Sequence, residues 1–347
     1  MNVIFTTVAA ILIFAVLIFV HEFGHFIAAK LSGVKVNEFA LGMGPKIFGV
    51  QKGETMYSLR LIPIGGFCAM EGEDEECDDP RAFNNKKSYV RLIILAAGAF
   101  MNILLGFILI FSLVVGQKTY VAPVVDSVVE NSAAQISGIN KDDVIISANG
   151  KRVHITEDLS WAISNNINED KSLELKLKNG NDVRTVKIIP ANADGKIVYG
   201  LKLKTNENNI FSSIRNSFYK TGFYSSVIID SFVNLVRGRV PLTQISGPVG
   251  IVSEIGTVVE QTRTLGLEGF YNLLSLTILL TINLGVFNLF PLPALDGGRI
   301  FFVLIEMIRR KPIPASKEAF VHMAGFILLI LLSIFVAFKD VFMLFGR

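Results

Sequence analysis

The sequence predicts a polytopic α-helical membrane protein that carries one polar, strand-rich domain. Of its 347 residues, 51% are hydrophobic and only 18% are charged, whereas charged residues make up about 25% of an average soluble domain. Four apolar runs are long enough to cross a bilayer, which takes about 20 residues. The segment between the second and third runs has instead the alternating pattern of short β-strands. The net charge of +3 is small and dispersed, so no nucleic-acid partner is expected.

The four predicted spans are residues 3–29, 92–115, 273–308 and 320–338. The first has no charged side chain before position 21 and no basic start, so it differs from a cleaved signal peptide and is expected to stay in the membrane. The third is interrupted by Pro291, Pro293 and a following pair of glycines. Because proline lacks a backbone donor, this pattern predicts a broken helix.

Basic residues predict the orientation of these spans, because cytoplasmic loops are enriched in lysine and arginine. They follow the first span, precede the second and separate the third from the fourth: Lys30, Lys35, Lys86, Lys87, Arg91, Arg309, Arg310, Lys311 and Lys317. Both termini and the residues from about 117 to 268 are therefore expected outside the cytoplasm. The predicted organisation is a membrane core (1–116 and 269–347), a strand-rich domain (117–206) and an extracytoplasmic amphipathic segment (207–268). Within that segment, residues 207–240 are expected to form a helix on the outer membrane surface.

The strand-rich domain is predicted from its turns. Asn-Gly pairs and single glycines separate short runs that alternate or are apolar throughout. A helix is expected to begin at Thr156, with two acidic residues in its first turn. The stretch SGINKDDVIISANGKRV resembles the PDZ fold, although Asp142 stands where that family prefers glycine. The resemblance implies a domain that binds extended peptide at a sheet edge; the alternative is a spacer domain with a closed groove.

Three ionisable residues, His21, Glu22 and His25, interrupt the first apolar run. Each such residue costs roughly 2.5–3.5 kcal/mol on insertion scales and usually has a functional partner. The histidines are four positions apart, so on a helix they project from one face and can hold one metal ion, while Glu22 is placed to take a proton from water. This His-Glu-x-x-His arrangement indicates a zinc peptidase. The alternative, an unpaired cluster facing lipid, is energetically expensive.

A catalytic zinc also needs a third protein ligand and an open position for water. His154 and His322 lack a supporting motif, whereas Asp296 is a carboxylate in an apolar setting directly after the two prolines. Irregular backbone at membrane depth is tolerated only where it packs within protein or lines a wet cavity. The segment NLFPLPALDGGR is therefore expected to form a wall of the active site. The alternative for Asp296 is a salt bridge to Arg299.

The paired motifs HEFGH and NLFPLPALDGG resemble the signatures of the site-2 protease family of intramembrane zinc metalloproteases, and the single PDZ-like insert resembles its bacterial regulator-of-sigma-E branch. The resemblance covers essentially the whole chain. It implies that His21, His25 and Asp296 bind Zn²⁺ and that Glu22 is the catalytic base. It also implies substrate-binding roles for Asn102, Asn283, Asn288, Pro291, Pro293, Gly65 and Gly66.

Two further elements resemble parts of that family. LAAGAFMNILLG contains its Gly-x-x-x-Asn pattern at Gly98 and Asn102, with Ala99 where proline is common. Residues 45–73 resemble its membrane re-entrant β-hairpin, and strand formers there flank a Lys-Gly-Glu turn. Because helical peptide bonds are shielded by their own hydrogen bonds, such an edge could pair with an unwound substrate segment. The alternative is a plain cytoplasmic hairpin.

The predicted function is that of an intramembrane zinc endopeptidase of the bacterial cell membrane. The resemblance implies single-span membrane substrates that a first protease has trimmed, typically anti-sigma factors, and also remnant signal peptides. Two alternatives come from other classes. A membrane metal-ion transporter would favour more carboxylates along a path, and a catalytically inactive PDZ scaffold is disfavoured by the intact Glu22.

Overall fold

The computed structural model describes residues 3–73, 75, 77–166, 168, 170–193, 196–241, 246–311 and 313–345. The chain forms two compact units: one comprises Met1–Leu109 with Ser225–Arg347, and the other comprises Ile110–Tyr224. Four described helices are long and apolar enough to span a membrane, namely Phe5–Leu31, Ser88–Val115, Leu267–Asn288 and Ser316–Met343. The prediction of a multi-pass protein with four apolar helices is thereby confirmed.

The elements are numbered in chain order. The helices are α1 (Val3–Leu31), α2 (Ser88–Val115), α3 (Ala133–Ile136), α4 (Thr156–Ser164), α5 (Ile210–Val236), α6 (Pro248–Leu265), α7 (Leu267–Asn288), α8 (Asp296–Arg309) and α9 (Ala315–Phe345). The strands are β1 (Val36–Lys52), β2 (Thr55–Met70), β3 (Thr119–Val128), β4 (Val144–Ala148), β5 (Lys151–Arg152), β6 (Leu173–Asn179), β7 (Asp182–Ile188), β8 (Ala191–Ala193), β9 (Lys196–Val198) and β10 (Leu201–Glu207).

The third apolar run is broken, as the sequence indicates. α7 ends at Asn288 and α8 begins at Asp296. Between them Pro291 and Pro293 cannot donate a backbone hydrogen bond, and Ala294 adopts a left-handed φ of 71°. Asp296 therefore opens a new helix instead of continuing α7.

The segment predicted to be extracytoplasmic and amphipathic, residues 207–268, contains two helices with different surroundings. α5 ends beside the break, where Phe232 stacks on Phe290 with ring centroids 4.3 Å apart. α6 packs against α1 and α7, and its Ile255 is fully buried in a cluster with Ala10 of α1. Because its apolar face is buried among other helices, α6 belongs to the helical core of the first unit, while the placement of α5 on the outer membrane surface stays a prediction.

β1 and β2 form a separate antiparallel sheet that follows α1. Its tip is the predicted hairpin, with Lys52 paired to Thr55. Residues 38–41 pair with residues 66–69 on one side and with residues 56–59 on the other. The sheet is therefore wider than a two-stranded hairpin. Residues 66–69 therefore form one edge of the sheet.

The second unit is built on one six-stranded sheet. Its strands are ordered β10-β3-β4-β6-β7, with β5 paired to β4, so β10 lies at an edge. Alternate leucines of β6, Leu173, Leu175 and Leu177, are fully buried in its core. α4 begins at Thr156, as predicted. Asp142 has a φ of 65°, which explains why the PDZ pattern prefers glycine at this turn and why aspartate, which tolerates this conformation, can replace it.

Candidate metal centre

α1 places His21 and His25 on one face, one turn apart. Both residues are buried, and their rings meet edge to face with centroids 4.9 Å apart. α2 packs closely on this face: a Cβ added to Gly24 would lie 2.8 Å from the carbonyl carbon of Ala97. A Cβ added to Gly98 would collide with His25 Nε2 and lie 2.8 Å from His21 Cε1. These two glycines therefore let the helices approach and leave room for the imidazoles.

Asp296, the first residue of α8, completes a three-residue cluster. Its Oδ2 lies 3.1 Å from His21 Nε2 and 3.3 Å from His25 Nε2, and the two Nε2 atoms are 3.3 Å apart. A tetrahedral zinc bound at about 2.0–2.1 Å would hold its ligand atoms about 3.3 Å from one another. Among the described residues, this is the one group of three histidine, cysteine or acidic side chains with ligand atoms so placed. The donor set and its spacing therefore fit a zinc ion.

Contacts outside the cluster fix the orientation of both rings. His25 Nδ1 donates to the Ile94 carbonyl at 2.8 Å, which directs the lone pair of Nε2 at the cluster. The fully buried side-chain amide of Asn102 lies 3.4 Å from His21 Nδ1. Partners of this kind set the tautomer of a metal-binding histidine and raise its basicity. Thr281 of α7 in turn donates to the Asn102 carbonyl at 3.1 Å, so a third helix supports the site.

A cavity of about 470 Å³ opens beside the cluster. Glu22 lines it together with the end of β2 and the loop before α8: Phe67, Cys68, Ala69, Met70, Ala294 and Leu295. The backbone N–H of Cys68 donates to the Glu22 carboxylate. Glu22 is therefore not one of the three converging ligands but faces the same cavity, which is where a proton acceptor for water is needed.

Comparison with known proteins identifies the family. A model of peptidase family M50 matches residues 9–332. The chain belongs to peptidase family M50.

Three relatives extend over nearly the whole chain. A candidate zinc metalloprotease of Clostridium perfringens is 41% identical over 96% of this chain and 97% of its own length. The zinc metalloprotease RasP of Bacillus licheniformis is 30% identical over 98% of this chain and 99% of its own. The regulator of sigma-W protease RasP of Bacillus subtilis is 28% identical over the same shares, 98% and 99%. As an M50 member the chain is a membrane metalloprotease, which confirms the predicted enzyme class.

Two of the predicted substrate-binding residues of this M50 protein, Asn102 and Gly66, lie next to residues of the candidate site. The side chain of Asn102 contacts His21. Gly66 lies beside the catalytic candidate, because a Cβ added there would be 3.4 Å from Glu22 Cγ. Gly65 has a φ of 92°. A Cβ added to Gly65 would lie 2.7 Å from Cε of the Met43 side chain.

None of the seven predicted substrate-binding residues lines this cavity within the part of the chain that the structure describes, and the other four lie elsewhere. Asn283 and Asn288 are half-buried on the last turns of α7. Pro291 is exposed. Pro293 packs against α9, where a Cβ added to Gly325 would lie 3.0 Å from Pro293 Cγ. Substrate-binding roles for these residues stay predictions.

The two histidines considered as alternative third ligands have other partners. His322 of α9 accepts a hydrogen bond on Nδ1 from the backbone N–H of Ala294 at 2.9 Å. His154, in the second unit, stacks on Tyr219 with ring centroids 4.4 Å apart. Asp296 is thus the third residue that the structure brings to His21.

Two residues that contribute to the site, Glu73 and Ile94, are not indicated by the sequence. Arg299, considered as a partner of Asp296, pairs with Glu73, and both residues line the cavity. Glu73 stands in a run of acidic residues, where nothing in the sequence distinguishes it. Ile94 acts through its backbone carbonyl, which no side-chain pattern can reveal.

Proposed function

We propose that this intramembrane metalloprotease binds Zn²⁺ through Nε2 of His21, Nε2 of His25 and one carboxylate oxygen of Asp296. Its reaction is the hydrolysis of a peptide bond within the transmembrane segment of a single-span membrane protein. The observation that carries the proposal is the mutual spacing of the three ligand atoms, 3.1–3.3 Å. Three protein ligands leave the fourth position of a tetrahedral zinc for water, as a catalytic site requires.

The chain's own residues perform the proton transfers. When bound, zinc acidifies water and polarises the scissile carbonyl. Glu22 takes the proton of the attacking water on its carboxylate and then delivers it to the nitrogen of the leaving amine. The Cys68 N–H orients that carboxylate, while Ile94 and Asn102 hold the two imidazoles.

The edge formed by residues 66–70 is proposed to bind the substrate backbone. These residues end β2, pair with β1 and include four that line the cavity with Glu22. A substrate helix encloses its peptide bonds in intrahelical hydrogen bonds, so it must unwind before hydrolysis. Pairing with an edge strand replaces those bonds and holds the backbone extended next to the catalytic base.

The proposed substrates are membrane-bound regulators of sigma factors. Two observations support this class: one relative is named the regulator of sigma-W protease, and the motifs of this chain resemble the corresponding bacterial branch. In this proposal the chain lies in the bacterial cell membrane and cuts anti-sigma factors that a first protease has trimmed. Remnant signal peptides form a second substrate group.

The second unit is proposed to be an extracytoplasmic, PDZ-like domain. The loops rich in lysine and arginine support its placement outside the cytoplasm. Its sheet ends in β10, an edge strand to which an extended peptide could be added. A role in admitting or holding trimmed substrates follows from that edge.

The function is tested with the purified protein in lipid vesicles that contain a single-span peptide. Mass spectrometry is expected to find a cut within the apolar segment, which a zinc chelator abolishes and added zinc restores. Metal-ion flux across the vesicles without any cut would contradict the proposal and favour the transporter. A chain that binds the peptide but never cuts it, with or without zinc, would favour the scaffold.

A further inference from the structure

The loop that carries Asp296 has an unusual backbone. Pro291 and Pro293 have no N–H to donate. Ala294 has a φ of 71°, a conformation that residues other than glycine rarely adopt. Ala294 and Leu295 nevertheless form part of the cavity wall next to Glu22. The Leu295 N–H donates to the Leu292 carbonyl within the loop at 3.3 Å, and the Ala294 N–H between them is bound by a contact from outside the loop.

His322 of α9 supplies such a contact. Its Nδ1 accepts a hydrogen bond from the Ala294 N–H at 2.9 Å. The same ring lies against α8, because a Cβ added to Gly298 would be 3.1 Å from His322 Cε1. The centroid of the Phe302 ring is 5.7 Å away. One imidazole thus contacts both the residue two positions before Asp296 and the helix that Asp296 begins.

A second contact shows that α9 is fitted closely to this loop. Gly325 lies three residues after His322, on the same face of the helix. A Cβ added to Gly325 would collide with Pro293 Cβ. The proline and the left-handed alanine are therefore both fixed from α9, the proline by packing and the alanine by a hydrogen bond.

We propose that His322 is a positioning residue that places Asp296 for zinc binding. The inference rests on the proposed function, in which Asp296 is the third ligand. Because Nδ1 accepts from Ala294, the ring proton is on Nε2, which faces Glu318 Oε1 at 3.9 Å. Holding Ala294 in its left-handed conformation sets the direction in which the chain enters α8. That direction decides whether Asp296 Oδ2 meets His21 and His25.

Removal of the acceptor on His322 is expected to weaken zinc binding without removing a ligand. Residues that support metal ligands typically contribute about 10–100-fold in metal affinity or activity. His322 acts through the backbone two residues from the ligand, so a loss of about tenfold is expected. The loss of zinc affinity is expected in variants that lack a hydrogen-bond acceptor at the position of Nδ1, whatever the size of the side chain.

The test compares four variants of the full chain by zinc affinity, measured in competition with a chelator, and by peptide cleavage. H322L has no acceptor, H322N carries an amide oxygen close to the position of Nδ1, and H322Q carries it one bond further out. M323A, at an exposed neighbouring position, is the control. H322L and H322Q are expected to bind zinc about tenfold more weakly than the unmodified chain, while H322N and M323A stay within about threefold.

The outcomes separate this inference from the proposed function. Unchanged zinc affinity in H322L, or an equal loss in H322N and H322Q, would overturn the positioning role. If H322L does not fold, the two amide variants decide the question, because they carry the same acceptor and one additional methylene group moves it in H322Q. An unmodified chain that binds no zinc and cuts no peptide would instead contradict the proposed function itself.

Discussion

Gly98 determines whether the two imidazoles can share one ion. α2 passes so close to α1 that a Cβ at this position would collide with His25 Nε2 and lie 2.8 Å from His21 Cε1. The His25 ring is fixed by its bond to Ile94, so it cannot move aside and still face Asp296. The absence of a side chain at Gly98, which leaves this volume to the two imidazoles, is therefore required for metal binding, as the ligands are.

Substitution of Gly98 by alanine is expected to reduce zinc affinity at least tenfold, because the added methyl group enters the volume of the ligand atoms. Zinc titration of the purified protein measures the effect. Gly116→Ala is the matched control, since the nearest atom to its Cβ would be the Leu113 carbonyl oxygen at 3.9 Å. Equal affinities of the two variants would show that the helices can separate at Gly98 without cost.

Glu22→Gln is expected to separate catalysis from metal binding. The amide has the same size but cannot take a proton from water, so cleavage should fall by about 10²–10⁴-fold or more. Metal analysis should still find about one zinc per chain, because Glu22 is outside the three-ligand cluster. A variant that loses its zinc would assign Glu22 to the ligand set and contradict its role as the base.

Individual residues of the site were predictable to different degrees. The spacing of His21 and His25 predicts convergence, because residues four apart share a helix face. The role of Asp296 depends on a distant part of the chain, so it follows from the family resemblance and not from spacing. The supporting contacts of Ile94 and His322 involve backbone groups across different helices, and the sequence carries no local sign of them.

At the scale of elements, α8 is held in place by ion pairs to two other parts of the first unit. Near its start Arg299 pairs with Glu73 of the loop after β2. Near its end Glu306 pairs with Arg91 of α2 at 2.7 Å, and both of these side chains are about nine-tenths buried. Glu306 also accepts from the Ile313 N–H at 2.9 Å. The helix that begins with Asp296 is thereby fixed against the helix that carries Gly98.

Arg91→Met is expected to lower the free energy of unfolding by about 3–5 kcal/mol, because it leaves the Glu306 carboxylate buried without its charge partner. The double variant Arg91→Met, Glu306→Gln removes both charges and keeps an acceptor for Ile313, so it should recover most of that loss. Denaturant unfolding in detergent measures both, with Lys87→Met at an exposed position as the control. A single variant no less stable than the control would show that the pair is not stabilising.

The elements themselves are predictable where one physical signal dominates. Apolar length predicts the four spans, and the prolines predict the break before α8. Hydropathy does not indicate that α6 is part of the helical core, because its 18 residues include Glu254, Glu260 and Arg263. Its burial against α1 arises from tertiary packing, which hydropathy alone cannot indicate.

At the scale of the whole molecule, the strand-rich part of the second unit is an insertion whose ends, residues 118–119 and 207–208, lie side by side. Thr119 of β3 pairs with Glu207 of β10, and the Asn208 N–H donates to the Lys118 carbonyl at 2.9 Å. The strand-rich part therefore begins and ends at one place. Such an arrangement allows the insertion to be removed and its ends to be joined by a short linker.

Deletion of residues 119–205 tests the proposal that the insertion selects substrates. The three proposed zinc ligands and Glu22 belong to the first unit. The shortened protein should therefore still cut a short transmembrane peptide at a similar rate. It should also cut full-length, untrimmed substrate that the complete protein ignores, as gel analysis of the products would show. A shortened protein that is folded and zinc-loaded but cannot cut the short peptide would contradict this division of roles. The same deletion combined with Glu22→Gln is the control for contaminating proteases.

The central claim is that His21, His25 and Asp296 bind the zinc that supports hydrolysis. X-ray absorption spectroscopy of the purified, zinc-loaded protein tests it most directly, because it reports the kind and number of atoms bound to the metal. The expected spectrum shows two imidazole nitrogens with oxygen ligands at about 2.0–2.1 Å, and Asp296→Ala should remove zinc from the site. A spectrum with a sulfur ligand, for which Cys68 in the cavity wall is the candidate, or with a third imidazole, would contradict the claim.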